Sequence, residues 1–395
     1  MDRLDGRIRN YAWGSQTAIP RLLGREADGQ PQAEYWLGAH PLAPALLAGV
    51  PLDAYLEKHP AGIGAASRAR FGDKLPYLMK ILAAAQALSI QAHPSREQAE
   101  EGFAFENGAG TPLDSPERTY RDDWPKPELL VALEPFEALV GFRDPHETAE
   151  LFAGLGVGVS LDSVIGPLTE RRGSAALAEV FLDVLSLDAD RMHLVTEVCA
   201  AAVKHMDDDG PIGEFARTAV ELDEHYAGDP GILAALLMNR VTVPVGQGVF
   251  LPAGVMHAYL KGTGIEVMAN SDNVIRGGLT PKHIDVSALV GVVEFAPHPV
   301  EFEVATEIAP GIFAYARRCP EFQVWRLEVS PAFGAVEVPA SDRGRVVLLT
   351  AGHLEIAAGD ERLELRQGEA TFLPAGDRPV LVSGDAQAFM SGPGV

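Results

Sequence analysis

Four side chains have the types and spacing of a metal site: Gln91 and His93 in LSIQAHP, Glu128 in WPKPELLVAL, and His257 in LPAGVMH. Gln91 and His93 are two apart, so on a strand they share a face. Lys126 and Glu128 are also two apart, across Pro127. Residues around a proline are usually extended, which sets this ammonium beside the carboxylate. Gln91, His93, Glu128 and His257 together offer two imidazoles, one carboxylate and one amide oxygen. That set suits Zn²⁺, one ion per chain, with positions left open for water or substrate. A neutral amide in place of a second carboxylate leaves the site net positive and favours sugar hydroxyls and carbonyls as ligands. Each signal alone is weak: Gln-x-His is nearly uninformative and Lys-Pro-Glu is ordinary exposed sequence. His40, His59, His146, His193, His205, His225, His298 and His353 read as hydrogen-bonded core or surface residues.

The stretch after His257, HAYLKGTGIEVMANSDNVIRGGLTPKHID, adds further chemistry. Glu266 lies in an apolar strand. Asp272 and Arg276 are four apart, so on an extended strand Asp272 would orient the guanidinium of Arg276. Arg276 and Lys282 offer cations to an anionic substrate, and Gly277 and Gly278 permit close backbone approach. A hairpin with a surface ion pair is the plainer reading. Seven lysines stand against 25 arginines, and Lys80, Lys126, Lys261 and Lys282 all fall within or beside these stretches. Lysine can transfer a proton where arginine cannot.

Such residues need a scaffold, and one turn is built twice. GQGVFLPAGVMH fits Gly-x5-Pro-x-Gly-x2-His from Gly246 to His257. GEATFLPAGDRP repeats the frame from Gly368, with Pro379 in the place of the histidine. The frame resembles the second motif of the cupin jelly roll, although LPAG is also simply a good β-turn. Two related β-barrels are expected, one keeping a metal ligand and one without it. Ahead of the first copy of the turn, SAALAEVFLDVLSL places Leu177, Val180, Phe181, Val184 and Leu185 on one helical face, and two further segments repeat that spacing. The fold class read from these patterns is mainly β with a helical insertion. The divisions are 1–143 and 240–300 for a catalytic jelly roll, 144–239 for an all-α insertion, and 301–395 for a C-terminal jelly roll without metal ligands.

The bulk composition narrows the function classes. The chain has 395 residues, 47% of them hydrophobic, which is enough for packed cores and excludes a largely disordered protein. A formal charge of −23 argues against a nucleic-acid partner but not against a small anion met by converging cations. Two cysteines are too few for a disulfide framework and fit a reducing cytoplasm. No signal-peptide core or membrane-length apolar run is present, so no membrane partner and a cytoplasmic location are expected.

LSIQAHP, KPE, PAGVMHAYL and SDNVIRGGLTPK, with NYAWGS, AEYWLGAHP and FEALVGFR, resemble the signature segments of the type I mannose-6-phosphate isomerases. The resemblance covers about residues 1–300. It implies a zinc-dependent aldose–ketose isomerase that interconverts mannose 6-phosphate and fructose 6-phosphate and feeds mannose and GDP-mannose metabolism. It further implies Gln91, His93, Glu128 and His257 as zinc ligands and Arg276 as an active-site residue, with Lys80, Lys126, Glu266 and Asp272 lining the pocket. Tyr259 and Lys282 join Arg276 and Lys126 as substrate-binding residues. Lys80, Lys126 and Glu266 are the available general bases, and spacing does not choose among them. Another sugar phosphate as substrate, or a sugar-phosphate-binding cupin without turnover, are the alternatives. A non-haem iron dioxygenase shares the two histidines and a carboxylate, but Gln91 and the Lys/Arg complement argue against it.

Overall fold

Tyr77–Ala84 and His257–Ala269 are apolar runs in which nearly every residue is buried, so both strands are covered on both faces. The computed structural model describes residues 1–158, 161–171, 173–332, 334–376 and 378–395. Among these residues the chain is mainly β, with an eleven-stranded sheet, an eight-stranded sheet and a small three-stranded one.

The larger sheet is organised by His257–Ala269. Its first half pairs antiparallel with Gln91 and with Phe136–Phe142. Its second half pairs with Tyr77–Ala84 on one side and Glu128–Ala132 on the other. The change of partners occurs at Gly262, whose φ of 135° suits glycine alone. A Cβ there would stand 2.7 Å from the Phe136 ring. One strand thus joins two sets of neighbours, with His257 and Tyr259 in one set and Glu266 in the other.

The doubled turn sits at equivalent places in the two β regions. The first joins Gln247–Leu251 to His257–Ala269, and the second follows Ala370–Leu373 and leads to Val380–Gly392. The correspondence runs further than the motif: Gly246 and Gly368 have φ of 78° and 84°, and Gly262 and Gly384 have φ of 135° and 134°. Gly384 stands as far beyond Gly376 as Gly262 does beyond Gly254.

Between the strands Phe136–Phe142 and Met238–Val243, the described residues form helices and turns. Val159, Ser160 and Arg172 of the expected insertion lie outside the described residues. Ser174–Leu185 buries Leu177, Val180, Phe181 and Val184, the face its periodicity predicts. Helix Pro145–Gly154 starts at Asp144, whose carboxylate accepts the His146 and Glu147 amides. The helices share one apolar core with Ile90, Ala92, Met256 and Ile275, which flank the site residues.

The sheet boundaries differ from the sequence divisions by a few residues. Met238–Val243 already pairs with Phe136–Phe142, because Met238 and Val243 are apolar enough to join that sheet's core. Glu303–Val304 pairs with Gln247 and Gly248, so the chain leaves the first sheet later than position 300. A second apolar core contains Leu4, Tyr77, Met79 and Ile265 together with Val346, Leu348, Phe372 and Phe389, and so joins the two β regions. No helix among the described residues is long and apolar enough to cross a membrane.

Candidate active site

His257 opens its strand directly across from Gln91, and Arg276 faces Gln91 from the other side in Ile275–Gly278. Glu128 opens the strand Glu128–Ala132, and His93 lies one residue past Ile90–Ala92. Three separate segments therefore deliver Gln91 and His93, Glu128, and His257 to one point. His93 Nε2 lies 3.3 Å from Glu128 Oε1, and His257 Nε2 lies 3.3 Å from Glu128 Oε2. One ligand atom from each of His93, Glu128 and His257 falls within 4.8 Å of the others.

The hydrogen bonds around these rings fix what they offer. His93 Nδ1 lies 2.8 Å from the Asn273 carbonyl, and His257 Nδ1 lies 3.1 Å from the Val255 carbonyl. A carbonyl only accepts, so each ring carries its proton on Nδ1 and turns an Nε2 lone pair toward Glu128. Burial and the Lys126 ammonium push the His93 imidazole down to about 4, so the ring is neutral at pH 7. His93 Nε2 and Glu128 Oε2 are buried without a hydrogen-bond partner. Lone pairs that converge with no proton between them are what a cation requires. Gln91 Nε2 lies 3.4 Å from His257 Nε2, and a half-turn of the amide brings Oε1 to the same place. The donor set fits a divalent metal.

Lys126 Nζ is 3.1 Å from Glu128 Oε1. Burial alone would raise the Glu128 carboxyl, but Lys126 and the histidines hold it well below the usual carboxylate range. A second buried group lies alongside. Trp36, Lys80 and Glu266 are directly opposite one another on three adjacent strands. Lys80 Nζ is 2.9 Å from Glu266 Oε2 and 3.3 Å from Glu34 Oε1, while Trp36 Nε1–H donates to Glu34 Oε2 at 2.7 Å. Burial would lower the Lys80 pKa, yet Glu266 and Glu34 outweigh it and keep the ammonium above its ordinary value. Burial raises the Glu266 carboxyl in spite of Lys80. The Tyr259 hydroxyl is buried without a hydrogen-bond partner, and burial with Glu266 nearby pushes its pKa well above 10.

This packing makes Lys80 a stability residue whatever else it does. Lys80→Met leaves two buried carboxylates without their counter-charge and is expected to lower the unfolding free energy by about 3 kcal/mol. Urea unfolding measures it, and adding Glu266→Gln should recover part of the loss. A Lys80→Met protein as stable as the parent would show that the carboxylates do not depend on the ammonium.

All of these groups except the two histidines line one cleft of about 370 Å³, and Arg276, Lys282 and Thr280 line it too. Among the described residues Arg276 makes no ion pair. Burial and the nearby Arg121 lower the Arg276 pKa, and burial, Arg276 and Arg121 lower that of Lys282. Arg276 and Lys282 face the cleft, while the Arg121 guanidinium donates to the Leu113 and Ser115 carbonyls close by. Two cleft-facing cations that repel each other form a receptor for an anion.

Two expectations from the sequence are corrected here. Asp272 does not share a strand face with Arg276, because Ile275–Gly278 begins only after it. The Asp272 amide is instead held by Asp122 Oδ2 at 2.8 Å, and its carboxylate Oδ1 lies 3.4 Å from His40 Nε2. Burial would raise the Asp272 carboxyl, but the His40 hydrogen bond, with Lys126 and Lys80, holds it below the ordinary value. Gly277 and Gly278 serve packing: a Cβ on Gly277 would stand 2.5 Å from Met256 Cε, and one on Gly278 2.7 Å from Gly231 Cα. The helix Gly231–Leu236 approaches Gly278, while Met256, Phe181 and Ile90 close around Gly277.

His40 and Arg121 were passed over in the sequence. His40 is buried, packs edge-on against Trp36 with ring centroids 4.9 Å apart, and accepts the Leu42 amide at Nδ1, which leaves its proton on Nε2 for Asp272. Its place in AEYWLGAHP, beside the future partners Glu34 and Trp36, was the available signal. Arg121 stands in YRDDW, where two aspartates make it look like a solvated ion pair.

Residues 1–145 match the family model described as phosphomannose isomerase type I, catalytic domain. The mannose-6-phosphate isomerase of Escherichia coli (strain K12) is 36% identical over 393 residues, covering 97% of each chain. The apo form of mannose 6-phosphate isomerase from Salmonella typhimurium has a TM-score of 0.89 at 34% identity, covering 100% of this chain and 99% of that one. A mannose 6-phosphate isomerase structure bound with zinc and yttrium has the same TM-score, identity and coverage.

Proposed function

Because this chain belongs to the mannose-6-phosphate isomerase family, we propose that it is a zinc-dependent aldose–ketose isomerase acting on mannose 6-phosphate and fructose 6-phosphate. The observation that carries the reading is one cleft lined both by Gln91 and Glu128 of a proton-free cluster of metal-type acceptors and by the cations Arg276 and Lys282, which make no ion pair among the described residues. A phosphorylated sugar has the matching chemistry: carbonyl and hydroxyl oxygens at one end, a dianion at the other.

In this reading Gln91, His93, Glu128 and His257 hold one Zn²⁺ per chain. When bound, zinc supplies a Lewis acid that favours negative charge on sugar oxygens. Arg276 and Lys282, with Arg121 behind them, bind the phosphate and set which carbons reach the acidic groups of the cleft. Isomerisation moves a proton between C1 and C2 through an enediol. Lys80, Lys126 and Glu266 are the groups able to carry it. Glu266 is favoured as acceptor, because burial makes its carboxylate more basic than usual while the Lys80 ammonium stands 2.9 Å away. Asp272, held by His40, lies where it can serve the sugar hydroxyls, and Tyr259 presents an unsatisfied hydroxyl to the same space.

The architecture proposed with this function is a catalytic jelly roll from 1–143 and 240–300, a helical insertion at 144–239, and a C-terminal jelly roll at 301–395 without metal ligands. The matching glycine conformations of the two β regions support it. A cytoplasmic enzyme feeding mannose and GDP-mannose metabolism agrees with two unpaired cysteines and a charge of −23.

The deciding experiment is fructose 6-phosphate formation from mannose 6-phosphate by metal-free and zinc-restored protein side by side. Activity is expected to vanish on chelation and return with zinc. Zinc-loaded protein that leaves mannose 6-phosphate unchanged would refute the reaction.

A further inference from the structure

Asn273, in the polar NSDN stretch, is fully buried and joins the segments that carry His93, Arg121 and Asp122. Its backbone carbonyl takes the His93 Nδ1 proton at 2.8 Å. Its Oδ1 accepts the Arg121 amide at 2.7 Å and the Asp122 amide at 3.3 Å. Its Nδ2 donates to the Asp122 carbonyl at 2.8 Å, to Asp122 Oδ1 at 3.2 Å and to the Trp124 carbonyl at 2.9 Å. A primary amide carries two lone pairs and two N–H bonds, so this side chain is saturated. Asp122 completes the joint. Its carboxylate accepts the Ser271 hydroxyl at 2.7 Å, the Trp124 amide at 3.0 Å and the Asp272 amide at 2.8 Å.

We infer that Asn273, acting with Asp122, is a positioning residue that couples the metal-type cluster, through His93, to the cations Arg276 and Lys282, through Arg121. The inference rests on the reading of the cleft as a zinc and sugar-phosphate site. Neither 121–124 nor 271–274 is a strand, so no ladder of backbone hydrogen bonds holds these segments together. The Asn273 amide does that work instead. Three groups are carried by the joined segments: the His93 ring through its carbonyl partner, the Asp272 carboxyl, and Arg121, whose guanidinium donates to the Leu113 and Ser115 carbonyls and acts by its charge on Arg276 and Lys282. A shift of the joint displaces all three at once. Partners of metal-bound histidines typically influence metal affinity by 10- to 100-fold when lost.

Two variants test this. Asn273→Ala deletes the joint. Asn273→Asp keeps its shape but sets an oxygen against the Asp122 and Trp124 acceptors. Zinc affinity is measured on metal-free protein by chelator competition, and inorganic phosphate binding on zinc-loaded protein by calorimetry. Both variants are expected to lose roughly tenfold or more in zinc affinity and, in the same proteins, roughly fivefold or more in phosphate affinity. His257→Gln should weaken zinc alone in the metal-free titration, and Arg121→Gln should weaken phosphate alone with zinc affinity intact. Folded Asn273 variants in which either constant stays within twofold of the parent would overturn the coupling. So would loss of the fold in both, which would make Asn273 a general folding residue. A parent protein that binds neither zinc nor phosphate would instead remove the site reading on which the coupling rests.

Discussion

His257→Ala is expected to leave the protein without zinc after dialysis and to reduce isomerisation by at least roughly 10³-fold, the several kcal/mol that a bound metal contributes to a developing oxyanion. Pro379→Ala, at the same place after the second copy of the turn, is expected to change neither. The contrast follows from geometry. His257 Nε2 stands 3.3 Å from Glu128 Oε2 with its own proton committed to Val255, so its removal deletes a ligand and leaves Glu128 to Lys126 and His93. Pro379 has no ligating atom, and the His/Glu group found among the described residues lies wholly in the other β region. Metal content by atomic absorption and the initial rate of fructose 6-phosphate formation measure both effects. Equal zinc loss in the two variants would sink the assignment of different roles to the two turns.

Arg276→Ala is expected to lower kcat/KM for mannose 6-phosphate by roughly 10²–10³-fold, the usual cost of losing a preorganised charge contact in a dry site. The guanidinium is partly desolvated, repelled by Arg121 and, among the described residues, without a carboxylate partner. It therefore faces the ligand as an uncompensated charge, and a dianion relieves its strain as well as pairing with it. Arg276→Lys should recover little, because an ammonium cannot present two parallel donors to phosphate oxygens. Lys282 is more exposed and its loss should act mainly on KM. Steady-state kinetics with inorganic phosphate as competitor separate these cases. Unchanged phosphate inhibition in Arg276→Ala would remove the residue from anion binding.

How much of this could be read from the sequence differs by physical cause. The repeated Gly–Pro–Gly frame was legible because turns need particular residues at particular offsets. The helical faces were legible because their apolar spacing is periodic. Lys80 and Glu266 were legible as a hint, since each is a charge within an apolar run, and such charges must find partners when buried. That they face each other directly depends on strand register, which neither run encodes alone. The Asp272 partner was misread because four-residue spacing was taken as a strand, whereas Asp122, some 150 positions earlier, dictates the local backbone. Arg121 and Asn273 act through contacts remote in sequence, whereas His40 stood close to Trp36 in AEYWLGAHP and only its Asp272 partner is remote.

The proton-free cluster of His93, His257 and Glu128 has a consequence outside catalysis. A buried nitrogen or oxygen left unsatisfied costs about 1–3 kcal/mol, so the metal-free native state holds a local conflict that the unfolded chain does not have. Any cation that settles there binds the folded form in preference to the unfolded one. By mass action, free metal at a hundred times its dissociation constant adds about 2.7 kcal/mol to the unfolding free energy. The reach of that effect follows from the connectivity. His93, Glu128 and His257 lie in three separate parts of the chain, before and after the helices, so an ion at their meeting point would act as a non-covalent cross-link within the first β region. Metal supply then governs how long the protein survives as well as how fast it works.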